Sequence, residues 1–162
     1  MICYHGSDTI VDNPIILDAK RPLDFGGGFY VTTSKEQALA WAKKVAFRNK
    51  TEQYCVSRYE FDLETSLTKV KVLRFEKADE EWLDFVCANR SGEPTKTYDI
   101  VIGPVADDKV YRVVVEYENG DINKELALKN LKTEVLCDQI LFHTGEALKF
   151  LKYIGCEVKS NE

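Results

Sequence analysis

Just after Thr32 the hydrophobic period of the chain changes, and this switch constrains the fold more than any other feature. Phe29 to Thr32 is aromatic and β-branched and reads as a strand. Thr33 with Glu36 and Ser34 with Gln37 both fit a capping box, and Ala38, Trp41, Ala42 and Val45 follow at helical spacing. A helix over 34–49 therefore follows a strand with almost no connection. Period and composition also predict strands over 2–5, 54–63, 70–75, 99–105 and 134–143. Helices are expected over 78–89, with Trp82, Phe85 and Val86 inward, over 122–131, and over 144–153, with Ala147, Leu148 and Leu151 inward. Residues 109–117 fit a strand by their valines and a helix by the spacing of Val110, Val113, Val114 and Tyr117. Asp107 and Asp108 as caps and Asn119-Gly120 as a stop favour the helix. With strands at both ends of the sequence and helices between, the expected class is α+β.

Residues 9–28 interrupt this pattern. They hold Pro14, Pro22 and the run Gly26-Gly27-Gly28, and read as loop with a short extended piece at 15–17. A loop of that length inside a compact domain is more often functional than idle.

The 162 residues suit one domain, 1–162, large enough to bury a core without disulfide or metal staples. A net charge of -5 argues against a grip on nucleic acid through its phosphates, and the basic block from Lys43 to Lys50 reads as a helix surface. Five scattered cysteines without a CxxC spacing point to reduced thiols, with neither a disulfide framework nor a zinc site. The first apolar run begins at Ile2, which leaves no room for a secretory leader, and no later run has membrane-spanning length. A cytoplasmic protein without a membrane partner is expected.

General catalytic motifs are missing. The glycine run lacks the Lys-Ser/Thr of a P-loop and the spacing of a dinucleotide fingerprint, and His5 and His143 form no HExxH helix. What remains is an ordered set: Tyr4-His5-Gly6-Ser7, then Asp24-Phe25-Gly26-Gly27-Gly28-Phe29-Tyr30-Val31-Thr32, then Trp41 on its helix, and finally Asp138-Gln139-Ile140. This set resembles the ADP-ribosyltransferase fold in its diphtheria-toxin and poly(ADP-ribose) polymerase branch. There the motifs read His-Gly-Ser/Thr, Phe-Gly-x-Gly-Ile-Tyr and a late strand bearing Glu. It is more similar still to a bacterial family of small stand-alone proteins of that fold, with a His-Tyr-Gln pattern, over essentially the whole chain.

The resemblance implies a split sheet with peripheral helices, and NAD as the substrate. NAD presents ribose diols, a flat nicotinamide with an amide, and a diphosphate, which call for hydrogen bonds, close backbone approach and aromatic faces. His5 can bond a ribose hydroxyl, Gly6 lets the backbone approach the carboxamide, and Tyr30 can stack on the ring. Trp41 would be the second aromatic of the sandwich. Ser7 would support the turn or a ribose hydroxyl, and Arg21, which with Asp24 precedes the glycines in a loop expected to border the cleft, would meet the diphosphate or form a loop salt bridge. His5, Tyr30 and Gln139 are the expected catalytic set, and no metal is expected.

Gln139 stands where the resembled polymerases carry Glu. Its amide can accept from a ribose hydroxyl but brings no charge to an oxocarbenium-like transition state, which excludes polymer elongation and leaves transfer of single ADP-ribose units. Asp138 and Glu134 share the opposite parity, so neither replaces the missing carboxylate. The implied activity is mono-ADP-ribosyl transfer to a protein or nucleic-acid acceptor. Alternatives are NAD glycohydrolysis, a non-catalytic NAD or ADP-ribose binding module, and the RNA 2'-phosphotransferase branch, which the acidic charge disfavours. By analogy of fold, small bacterial proteins of this type act as toxins or in defence, opposed by a neutralising, antitoxin-like partner.

Overall fold

The computed structural model describes residues 1–17, 23–93, 97–132 and 137–160. Its elements run β1 (Ile2–Ser7), β2 (Phe29–Val31), α1 (Lys35–Asn49), β3 (Gln53–Phe61), α2 (Leu63–Lys69), β4 (Val72–Arg74) and α3 (Glu80–Arg90). After these come β5 (Ile100–Pro104), α4 (Asp108–Glu118), α5 (Lys124–Leu131), β6 (Asp138–Phe142), α6 (Gly145–Leu148) and β7 (Leu151–Ser160). The class is α+β, with two open sheets. One has the order β1-β3-β7, antiparallel throughout; the other has the order β2-β6-β5-β4, in which only the β4–β5 pair is parallel.

Helix starts are set by side chains that accept backbone N–H groups left free at the first turn. Ser34 accepts from Gln37, Asp62 from Thr65, Asp79 from Trp82, and Asn123 from Leu126. Asp107 accepts from both Lys109 and Val110, and so the segment open to two readings is a helix, α4.

Two expectations need correction. The strand predicted to reach Leu63 ends at Phe61, because Asp62 caps a short helix, α2. The helix predicted over 144–153 lasts only from Gly145 to Leu148, and Leu151 begins a ten-residue strand on the outer edge of β3. Leu151 is inward as expected, but in a sheet. The strand expected over 134–143 is seen from Asp138, and residues 133–136 lie outside those described.

Alternation along the strands sorts side chains into layers. Cys3, Phe29, Val31, Tyr59, Phe61, Ile100, Ile140, Phe142 and Leu151 fill the space between the two sheets. The far side of the first sheet, with Tyr54 and Val56, holds the small face of α1 made by Ala38, Ala42 and Ala46. On the far side of the second sheet Val101 and Leu141 meet Trp82, Leu83 and Val86 of α3, with Val110, Val114, Ala127 and Leu131 from α4 and α5. The sheets are joined where β1 passes β2: Tyr4 and Thr32 exchange two backbone hydrogen bonds, at 2.8 and 2.9 Å. All five cysteines are free thiols.

Candidate functional site

The segment from Asp24 to Tyr30 lies at this junction, and both histidines of the chain bind it. The Nδ1 of His5 is 2.7 Å from the Tyr30 carbonyl oxygen, and its ring lies against Phe29 with centroids 4.4 Å apart. A carbonyl can only accept, so Nδ1 carries the proton and Nε2 of the neutral ring is an acceptor. Burial pushes the His5 pKa below its ordinary value, only partly opposed by the bond to Tyr30, and the ring is neutral at pH 7. His143 donates through Nδ1 to the carbonyl of Gly27. The Tyr30 hydroxyl accepts from the Phe25 backbone at 3.2 Å and donates to the Gly26 carbonyl, so the glycine run curls around its own tyrosine. Gly28 has a φ of 150°, and a Cβ there would lie 2.3 Å from the Phe142 carbonyl oxygen, which requires glycine.

Gly6 is a close-approach position of another kind. A Cβ on it would fall 2.0 Å from the backbone oxygen of Ala38, so the bare Cα is what seats α1 on β1. Ser7 is occupied in a turn, donating to Asp8 at 3.3 Å and accepting from the Thr9 amide at 3.4 Å. Trp41 is carried by α1, 43% exposed, with the Arg48 guanidinium 5.7 Å from its ring centre. Arg21 lies outside the described residues. His5 and Tyr30 are thus in direct contact at the junction of the sheets.

Gln139 is buried on the same face of β6 as Leu141, which pairs with Tyr30. Its carboxamide donates through Nε2 to the Pro104 carbonyl at 3.4 Å. On the opposite face Asp138 accepts from the Thr33 amide at 2.9 Å and from the hydroxyls of Thr32 and Thr33, pinning β6 to the entry of α1.

The neighbour of Gln139 that sequence parity along β6 did not reveal is Asp24. The carboxamide of Gln139 and the backbone amide of Ala106 lie close enough to favour its ionised form, and Arg90 Nη1 is 3.4 Å from its Oδ1. Arg90 is in turn held by Glu118, 3.3 Å from Nε, and by the Tyr111 ring, centred 4.6 Å from its Cζ. Burial nevertheless raises the Asp24 pKa above the ordinary carboxylate value, since Arg90 and these two amides offset only part of the lost hydration. Burial, with Asp24 adding to it, also pushes the Tyr30 phenol well up, so Tyr30 stays protonated and neutral. Arg90 closes α3 and carries no motif signal in the sequence.

Among the described residues no cluster of His, Cys, Asp and Glu could hold a metal ion, and no helix is long and apolar enough to cross a membrane. One protein family, described as "Protein of unknown function (DUF3990)", has a sequence model that matches residues 1–153. No curated protein and no solved structure matches the chain.

Proposed function

We propose that this chain, which belongs to that family of unknown function, is a mono-ADP-ribosyltransferase. It would bind NAD where its two sheets meet, break the bond between nicotinamide and ribose, and pass ADP-ribose to an acceptor. Support comes above all from the bond between His5 Nδ1 and the Tyr30 carbonyl, at 2.7 Å. Two parts of the motif order that resembles the ADP-ribosyltransferase fold are in contact there, although they are far apart in sequence. The contact also fixes the tautomer, leaving His5 Nε2 to accept from a ribose hydroxyl. The Tyr30 hydroxyl is satisfied within the glycine run, so its ring is the part left to meet nicotinamide.

Gln139 limits the chemistry to transfer of single units, to an acceptor or to water. One observation favours a second reading, a non-catalytic NAD or ADP-ribose binding module: the Gln139 amide is already engaged by the Pro104 carbonyl. A protein or nucleic-acid acceptor, a neutralising partner and a cytoplasmic site of action belong to the same proposal.

Purified protein incubated with NAD, with and without cell lysate, separates these outcomes when free nicotinamide and the melting temperature are both measured. Release that needs lysate is transfer, and release without it is glycohydrolysis. A ligand present at a hundred times its Kd stabilises the folded state by about 2.7 kcal/mol, so a binding module shows a raised melting temperature without release. The absence of both release and a melting-temperature shift at millimolar NAD refutes the proposal.

A further inference from the structure

Asp24 is a half-buried carboxylate to which the motif order gives no role. It precedes the glycine run, and its side chain is 17% exposed, so it is largely withdrawn from bulk water. Its neighbours come from every element around it: Arg90 from α3, backed by Glu118 and Tyr111 of α4, Gln139 from β6, Tyr30 from β2, and the backbone amide of Ala106. Cys87 of α3 is also within electrostatic reach of it. Arg90 is shared between two carboxylates, Asp24 and Glu118, so the cluster without substrate has one negative charge more than positive when both are ionised. Gln139 has an amide where the resembled polymerases have an acid, and the carboxylate beside that amide is Asp24.

We propose that Asp24 is the anionic group of this site, a catalytic carboxylate facing the ribose carbon from which nicotinamide departs and taking the acceptor's proton. The assignment rests on the NAD-cleavage reading above. As the bond between ribose C1' and the nicotinamide nitrogen breaks, its electron pair leaves with nicotinamide, which departs neutral. The lone pair of the incoming acceptor, water in the simplest case, forms the new bond to C1'. The acceptor's proton passes to Asp24 and from there to solvent. Arg90 lets the carboxylate ionise in a dry place, while the pKa raised by burial makes it a better base than an exposed aspartate.

The test is nicotinamide release from NAD across pH 4 to 8, with NAD binding followed separately by thermal shift. Wild type should gain activity with rising pH along an acid limb centred above the ordinary aspartate value of about 4. Asp24→Asn should bind NAD while losing about a hundredfold or more in kcat, together with that limb. Arg90→Gln keeps the carboxylate and removes the positive charge beside it, so the limb should move to higher pH, a shift that a purely structural role for Asp24 would not produce. An Asp24→Asn protein with kcat within threefold of wild type and the same limb overturns the assignment but leaves the NAD reading standing. If Asp24→Asn fails to fold, Arg90→Gln decides: an unmoved limb overturns the assignment and a raised one supports it. Wild type that neither binds nor cleaves NAD removes both the assignment and the reading beneath it.

Discussion

Replacing Gly6 with alanine tests how the first motif is built. The added Cβ would lie 2.0 Å from the Ala38 oxygen and 2.8 Å from the Ala42 nitrogen, distances that real Cβ atoms do not adopt. Both atoms are backbone, so no side-chain rotation relieves the clash. Either α1 or β1 must retreat by about 1 Å, against an interface in which overpacking by a methyl already costs 1–3 kcal/mol. Retreat would open the contact of Ala38, Ala42 and Ala46, which are 0–2% exposed, with the first sheet. The expected loss is therefore at the upper end, about 3 kcal/mol, or a fall of roughly 6–12 °C in Tm for a chain of this size. Urea denaturation of Gly6→Ala against wild type measures it. Gly145→Ala is the control: an added Cβ there meets nothing within 4 Å, and the change should stay within about 0.5 kcal/mol. If Gly6→Ala is as stable as that control, close packing of α1 is not the reason for glycine at this position.

Trp41→Ala should leave stability within about 0.5 kcal/mol of wild type, because the ring is 43% exposed. In a Trp82→Phe background, NAD that neither quenches Trp41 nor loses affinity in Trp41→Ala would take this residue out of the nicotinamide site. The lowered His5 pKa means that below about pH 6.5 the unfolded chain takes up a proton that the folded chain refuses, so stability falls as pH drops. His5→Asn should flatten that fall between pH 7.5 and 5.5 in urea midpoints, and an unchanged slope would contradict the buried neutral ring. Gln139→Glu removes the donor to Pro104 and sets a second carboxylate beside Asp24, so it should cost about 1–3 kcal/mol at pH 7 and recover on acidification. Equal stability at pH 7 would refute this account of Gln139, and an Ala variant with full stability and turnover would remove it from the mechanism.

Local signals carried the elements whose stability is local. The cap of α1 at Ser34 and its buried alanines were readable, as was the Asp107 cap that decides α4. Strand β7 was not. Its burial fades from Leu151 toward exposed Ser160 and lacks clean alternation, and Leu148 with Leu151 mimics a helical face. What makes it a strand is the unpaired edge of β3, which no local window contains. The site divides the same way. His5, Tyr30 and Gln139 each belong to a short motif, whereas the Asp24–Arg90 pair joins residues 66 apart and exists only once α3 has docked. The role of Gly6 could be suspected as close approach, but that α1 is what approaches is a fact of packing.

The order of strands within the two sheets also sets how the chain must assemble. Tyr30 pairs with Leu141 and Cys55 with Val158, so each sheet is completed by a segment made long after its partner strand. Contacts of such long sequence separation close slowly, because the entropy of the intervening loop is lost before the contact forms. During translation β2 and the outer edge of β3 wait unpaired, with free backbone donors and acceptors of the kind that recruit strands from other molecules. Yield in the cell should therefore respond to growth temperature and translation speed more steeply than the stability of the finished protein would indicate.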